Sequence, residues 1–144
     1  LHFYDRAIEV TRKINNRLVL GASLVEKGVV LMELGRMDGL ETIIQEALQT
    51  AESLGNPDLV FDAQILAAKY EHKKGNTEKA IEVLFTLNAK ELSPDKHAAV
   101  NFELFHLLPQ DPRFRQRALE LYESLYQVTP RYSYKVRLKQ LKEG

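Results

Sequence analysis

The sequence contains no cysteine and no tryptophan. The absence of cysteine excludes disulfide bonds, thiol catalysis and thiolate metal ligands, and it fits a reducing compartment such as the cytoplasm. No apolar run approaches the ~20 residues that a membrane-spanning helix requires. An excess of charge of one sign is also lacking, because 20 basic residues balance 20 acidic ones. Nucleic acid or an anionic membrane would therefore need a local basic patch for binding, and we expect neither as a partner.

The remaining composition is that of a folded domain. Of 144 residues, 44% are hydrophobic and 28% are charged, and there are seven glycines, proportions unlike those of disordered or collagen-like chains. The length suits one domain. Because the chain begins with Leu1 inside a helical pattern, we expect it to be a piece of a longer protein.

Four short segments of similar sequence recur along the chain, at residues 5–10, 38–43, 78–83 and 116–121. Their third residues, at positions 7, 40, 80 and 118, are 33, 40 and 38 residues apart. Each segment opens an apolar pattern of helical period. Two of them follow a glycine, Gly35 or Gly75, which suits the left-handed residue after a helix end, and Asp38 and Thr77 then suit N-caps.

The pattern predicts helices throughout and no strand. We place them at about 2–15, 17–34, 38–54, 58–74, 77–90, 95–108, 113–128 and 131–142. The helix faces that converge within each repeat predict ten core positions, namely Gly28, Leu31, Leu40, Ile44, Ala68, Ala80, Leu84, Phe105, Ala118 and Tyr122.

This arrangement resembles the tetratricopeptide repeat, a ~34-residue unit of two antiparallel helices. In that family a small residue lets the two helices approach, and Gly28 and Ala68 match it, whereas Phe102 departs from the pattern. An alanine opens the second helix in the family, and the corresponding residues are Ala7, Leu40, Ala80 and Ala118. The terminal proline of the unit is matched by Pro130, twelve residues after Ala118.

The resemblance implies an all-α solenoid of antiparallel helix pairs, formed as a single domain over residues 1–144. It comprises a truncated first unit, three longer units and a capping helix, at residues 1–16, 17–56, 57–93, 94–130 and 131–144. These long units are similar to those of bacterial signalling proteins such as cyclases, kinases and large transcriptional activators. Solenoids of the HEAT and armadillo classes, with units of ~40–47 residues, are the structural alternative.

The family binds ligands on a concave wall that the first helices form side by side. The resemblance places a binding groove on eleven residues: Val25, Val29, Met32, Asp62, Ile65, Lys69, His72, Lys73, Lys96, Glu103 and His106. Family members that clamp the carboxylate tails of chaperones carry a lysine and an asparagine one helical turn apart. Val25 with Val29, and Ile65 with Lys69, stand at those positions, so the clamp is absent. The groove instead suits an amphipathic helix or an extended segment with acidic residues.

No catalytic, cofactor or metal site can be assembled from the sequence. His72 and His106 occupy equivalent positions on successive first helices, which could indicate a metal or proton-transfer pair. Helices pack ~8–10 Å apart, whereas both ligands of one zinc must reach it at ~2 Å, so we interpret the two histidines as partly exposed polar residues that line the groove. Phosphate-binding loops and nucleophile motifs are also absent from the sequence.

Two groups of basic residues need an interpretation. Lys69, Lys73, Lys74 and Lys96 cluster if the units stack, and the last helix carries Arg131, Lys135, Arg137, Lys139 and Lys142. They could bind an acidic peptide or nucleic acid. Lysine and arginine near helix C-termini, however, also complement the helix dipole and keep a capping helix soluble. We interpret the last helix as a cap that Tyr132 and Tyr134 anchor to the core.

Three functions follow as hypotheses. The first is a non-catalytic protein-interaction scaffold within a larger cytoplasmic signalling protein, which binds a peptide, a helix or another domain of the same chain. The second is a structural spacer or oligomerisation element, and the third is a nucleic-acid-binding solenoid. The first helix is half of a unit, so its apolar residues, Phe3, Tyr4, Ile8 and Ile14, include some that lack a partner helix. We expect either self-association through this helix and the adjoining strip of Ala22, Val25 and Val29, or fraying there.

Overall fold

The computed structural model of the chain describes residues 1–13 and 16–143. These residues form eight α-helices and no β-strand. The helices are α1 (His2–Lys13), α2 (Arg17–Glu33), α3 (Leu40–Leu54), α4 (Pro57–Lys73), α5 (Thr77–Asn88), α6 (Pro94–Leu107), α7 (Pro112–Val128) and α8 (Tyr132–Glu143). The all-helical prediction is confirmed for this part of the chain, and its boundaries agree to within two residues. Positions 14, 15 and 144, which the prediction also covered, lie outside the described residues.

Two predicted glycine turns at helix ends are confirmed, and two predicted N-caps are wrong. Gly35 and Gly75 adopt positive φ values of 70° and 94° after α2 and α4, as predicted. The predicted N-cap at Asp38 is wrong, because the chain turns through Gly39 at φ 74° and α3 begins only at Leu40. Thr77 is likewise the first helical residue of α5 and not its cap.

The chain forms two compact units, residues 1–80 and residues 81–144, with the boundary inside α5. In the first unit, α2 packs against α1, α3 and α4, and α3 also packs against α4. In the second unit, α7 packs against both α6 and α8. All ten predicted core positions are buried.

A close approach of α2 and α4 is centred on Gly28. A Cβ atom there would lie 2.6 Å from Cδ2 of Leu66 in α4 and 3.6 Å from Cδ1 of Leu40 in α3. Gly28 therefore makes room chiefly for α4, the first helix of the next predicted unit. It makes less room for α3, the second helix of its own unit. Phe102, which stands at the equivalent position of α6, is large and nevertheless buried, at 7% exposure.

Helix α1 is held to the first unit by one of its faces. Ile8 and Thr11 are buried, and Lys27 Nζ lies 2.5 Å from an Asp5 carboxylate oxygen. The opposite face exposes two large apolar residues, Phe3 at 75% and Val10 at 53%. The expectation that some apolar residues of this helix lack a partner is therefore met by Phe3. Ile8 is buried, Tyr4 is half-buried, and Ile14 lies outside the described residues.

In the second unit, α7 and α8 run in opposite directions. Arg115 near the start of α7 donates a 2.7 Å hydrogen bond to the backbone carbonyl of Leu141 near the end of α8. Tyr122, further along α7, meets Tyr134 near the start of α8, with ring centroids 5.6 Å apart. Leu141 is fully buried, so α8 is an integral part of this unit's core.

Candidate binding surface

The three apolar residues predicted for the groove lie on α2 in the first unit. Val25 and Met32 expose only 7% and 8% of their surface and belong to the hydrophobic core. Val29 is partly buried and packs against the same core. Two of the three are therefore closed to a ligand in this structure, because the helices around α2 use its apolar residues for their own packing.

The five predicted groove residues on α4 are more accessible. Asp62, His72 and Lys73 are exposed, and Ile65 and Lys69 are half-buried. His72 Nδ1 lies 3.0 Å from the hydroxyl oxygen of Thr77. The exposure of His72 agrees with its interpretation as a polar surface residue.

The three predicted groove residues on α6 lie in the second unit. Lys96 and Glu103 are half-buried and His106 is exposed. His106 Nδ1 lies 2.9 Å from the backbone oxygen of Phe102. Because that oxygen can only accept, Nδ1 carries the proton, and a neutral His106 keeps Nε2 as an acceptor for another partner. The imidazole also packs edge-on against Phe102, with centroids 4.5 Å apart.

The second unit brings an arginine of α8 onto this aromatic group. The guanidinium carbon of Arg137 lies 4.7 Å from the ring centroid of Phe102 and 5.7 Å from that of Tyr122. Arg137 also donates a hydrogen bond to the Tyr122 hydroxyl. Tyr134 adds a further ring beside Tyr122. We refer to Phe102, His106, Tyr122, Tyr134 and Arg137 as the Arg137 surface.

Arg137 has an unusual electrostatic position. Its side chain is half-buried, and among the described residues it forms no ion pair with a carboxylate. Burial raises the pKa of the Tyr122 hydroxyl, and the guanidinium of Arg137 acts in the opposite direction. The carboxylate of Glu103 also raises the pKa of the Tyr122 hydroxyl. Glu103 itself takes part in a further interaction and is not without a partner.

Within residues 1–13 and 16–143, no group of three or more histidine, aspartate or glutamate side chains is placed to hold a metal ion. None of the helices in the described part of the chain combines the length and apolar character needed to cross a membrane.

Comparison of the chain with protein-family models, with curated proteins and with solved structures gave no match.

The sequence predicted His106 and Glu103 as groove residues but did not predict a role for the residues beside them. Phe102 was noted only as a departure from the repeat pattern, and Arg137 only as one charge of a capping helix. The prediction that Tyr134 anchors α8 is confirmed by its contact with Tyr122, whereas Tyr132 is 78% exposed and does not anchor it. The usable signal was the four-residue spacing of Phe102 and His106, which places both on one helix face.

Proposed function

We propose that the chain is a non-catalytic protein-interaction module that binds a peptide segment carrying carboxylates. One observation carries the proposal: the half-buried guanidinium of Arg137 is stacked on two aromatic rings and has no carboxylate partner among the described residues. The module belongs to a larger cytoplasmic signalling or regulatory protein of the tetratricopeptide-like kind.

The chemistry of Arg137 favours a carboxylate ligand. Partly buried charges are normally paired, because removal from water is unfavourable without a partner. The guanidinium lies over the rings of Phe102 and Tyr122, and one of its five N–H donors already serves the Tyr122 hydroxyl. The remaining donors form a fork that matches a carboxylate in a bidentate manner. An aspartate, a glutamate or a C-terminal carboxylate would supply the missing partner.

The repeat interpretation supports the same function. In the first unit the two first helices, α2 and α4, pack directly against each other through Gly28 and Leu66. Side-by-side packing of first helices is what produces a concave binding wall in tetratricopeptide solenoids.

A second candidate function, oligomerisation, is favoured by the outer face of α1. Phe3 and Val10 are both more than half exposed on that face, and they are seven residues apart, so they form one apolar stripe. Such a stripe would suit contact with a second copy of the chain.

Titration followed by two-dimensional NMR tests the peptide-binding proposal. The probe is an eight-residue peptide rich in aspartate and glutamate, compared with the same peptide carrying asparagine and glutamine. We expect shifts at Phe102, His106 and Arg137 with the acidic peptide only. Arg137→Lys keeps the charge but loses the fork, and it should weaken binding about tenfold.

Arg117→Lys is the matched control, because Arg117 is exposed on α7 and pairs with Glu120 at 3.7 Å. This variant should bind the acidic peptide as the unaltered chain does. Equal affinity of the Arg137→Lys and Arg117→Lys variants would contradict the proposal.

A further inference from the structure

A groove lies between α7 and α8, on the side of α8 that faces away from the Arg137 surface. Tyr126 of α7 and Leu138 of α8 line it together with Lys135 and Lys139, and it encloses about 600 Å³. Residues two positions apart on a helix point about 200° apart, so Lys135 and Lys139 face away from Arg137. The groove is therefore separate from the Arg137 surface, and the inference drawn from it does not depend on the proposed function.

The walls of this groove are fixed in place by contacts elsewhere on α8. Leu138 and Leu141 are buried, Arg115 is bonded to the Leu141 carbonyl at 2.7 Å, and Arg137 is bonded to Tyr122. The helix that carries the lysines is thus anchored at three points along its length. A ligand would meet a preformed surface and would not need to order it.

Charge is distributed unevenly along the groove. Lys135 and Lys139 stand one turn apart at one end, and among the described residues neither forms an ion pair. At the other end Lys142 Nζ lies 3.7 Å from Glu123 Oε1, and Glu143 adds a further carboxylate to the lining. The groove is therefore positive at one end, near neutral or negative at the other, and apolar in between.

We propose that this groove binds an amphipathic helix of a partner protein. The helix places a large apolar side chain against Tyr126 and Leu138, and it places carboxylates one turn apart beside Lys135 and Lys139. The volume lies within the range of ~300–1,000 Å³ that is usual for ligand pockets. Helix-in-groove recognition of this kind relies on apolar anchors at helical spacing, with charges at the rim.

Other polyanions fit the groove less well. Glu123 and Glu143 would repel the evenly spaced phosphates of a nucleic acid or the head groups of an anionic membrane. The apolar floor formed by Tyr126 and Leu138 offers no favourable contact to a phosphate group. A flat bilayer surface does not fill a groove between two helices. An acidic helix satisfies both the lysine end and the apolar floor.

The test uses a fluorescein-labelled, lactam-stapled helical peptide of roughly 14 residues, about 21 Å long. It carries one leucine flanked by glutamates four residues apart, and fluorescence anisotropy reports its binding to the full 144-residue chain. Lys139→Glu should weaken binding about tenfold, because an attractive pair becomes a repulsive one. Lys90→Glu is the matched control, since Lys90 is exposed in the same unit and the charge change is identical. That control should change the affinity less than about twofold.

Several results would overturn the proposal. They are equal weakening by Lys139→Glu and Lys90→Glu, unchanged affinity when glutamine replaces the glutamates of the probe, and the absence of saturable binding. Binding of phosphatidylserine vesicles or poly-U RNA that Lys139→Glu abolishes, without binding of the peptide, would also overturn it. Far-ultraviolet circular dichroism of each variant confirms that helix content is retained.

Discussion

Cδ2 of Leu66 lies 2.6 Å from the point at which a Cβ atom on Gly28 would stand. Leu66 is only 2% exposed, so its side chain cannot move aside into solvent. The contact brings the backbone of α2 into direct packing with a leucine of α4. A glycine in the middle of a helix is otherwise unfavourable by about 1 kcal/mol relative to alanine, and this close approach accounts for its presence.

The first prediction concerns that contact. Gly28→Ala should lower the free energy of unfolding by about 1–2 kcal/mol, because overpacking outweighs the gain in helix propensity. Leu66→Ala alone should cost about 2–4 kcal/mol by leaving a cavity. The double variant should be less destabilised than the two changes added together, since each relieves the other. Urea denaturation of the four proteins measures this coupling, and strict additivity would show that the two residues do not compete for space.

Much of the helical framework could be predicted because its signals are local. Gly35 and Gly75 adopt the left-handed conformation that only glycine takes readily, and the apolar period places Leu40 and Leu84 in the core. The predicted start of α3 is two residues too early. Asp38 is a residue type typical of N-caps, but Gly39 after it takes the left-handed conformation and the helix begins only at Leu40. The burial of Val25 and Met32 could not be predicted, since a helix pattern does not reveal which of its apolar residues a neighbouring helix will cover.

The second prediction concerns stability in acid. The Asn76 amide donates a 2.9 Å hydrogen bond to Glu71, and it lowers the pKa of the Glu71 carboxyl with help from the ammonium groups of Lys74 and Lys79. A lowered pKa in the folded state means that the unfolded chain takes up this proton first. The stabilisation is therefore present above the ordinary pKa of about 4.3 and is lost as the pH falls through the folded value.

Glu71→Gln should reduce the free energy of unfolding by less than about 1 kcal/mol at pH 7, because the pairs lie at the surface. The difference from the unaltered chain should vanish as the pH falls below about 4. Urea denaturation at several pH values measures the trend. Glu91→Gln, at an exposed position, is the control for the loss of one surface carboxylate at pH 7. A difference that persists unchanged at low pH would exclude an electrostatic origin.

The third prediction concerns stability in alkali. Burial raises the pKa of Tyr122 above its ordinary value of about 10. The folded chain therefore holds this proton after the unfolded chain has lost it, so the stability falls as the pH rises above about 10. Tyr122→Phe removes the titrating group and should flatten that fall, while Tyr132→Phe, at an exposed position, should not. An equal fall in both variants would assign the alkaline loss to other groups.

The fourth prediction concerns the ligand of the Arg137 surface. Glu103 places a negative charge close enough to act on Tyr122, so it opposes an anionic ligand. Glu103→Gln should therefore strengthen binding of the acidic eight-residue peptide by about two- to fivefold at low salt, and the gain should shrink as ionic strength rises. Isothermal titration at two salt concentrations measures it. Weaker binding by the Glu103→Gln variant would indicate that the ligand contacts Glu103 through a cationic group.

The sequence predicted Glu103 and His106 as groove residues, because they lie on the same face of a predicted first helix, and His106 belongs to the Arg137 surface. The role of Arg137 could not be predicted, because Arg137 belongs to another helix and its contact depends on which flank of α8 meets Phe102. That pairing is set by the burial of Leu138 and Leu141 against the second unit. A contact between helices 35 residues apart in sequence, such as that of Arg137 with Phe102, leaves no periodic signal in either one.

The fifth prediction concerns the outer face of α1. Phe3 and Val10 are 75% and 53% exposed, and an ion pair between Lys27 and Asp5 holds the helix with that face outward. Burial of such side chains between two copies is worth about 1.5–3 kcal/mol for each one that becomes fully buried. We expect concentration-dependent self-association, and the double change Phe3→Ser with Val10→Ser should weaken it at least about tenfold.

Sedimentation velocity over a range of concentrations measures this association, and Val128→Ser with Tyr132→Ser supplies a control. Those two residues are 84% and 78% exposed, so the control removes comparable apolar surface from the second unit and should leave the association intact. If α1 frays instead of associating, amide hydrogen exchange along residues 2–13 will be fast. A strictly monomeric chain with slow exchange throughout residues 2–13 would contradict both forms of the prediction. It would mean that α1 is stable with Phe3 and Val10 facing water, held by its contacts with α2 and by the pair of Arg12 with Glu46 at 2.6 Å.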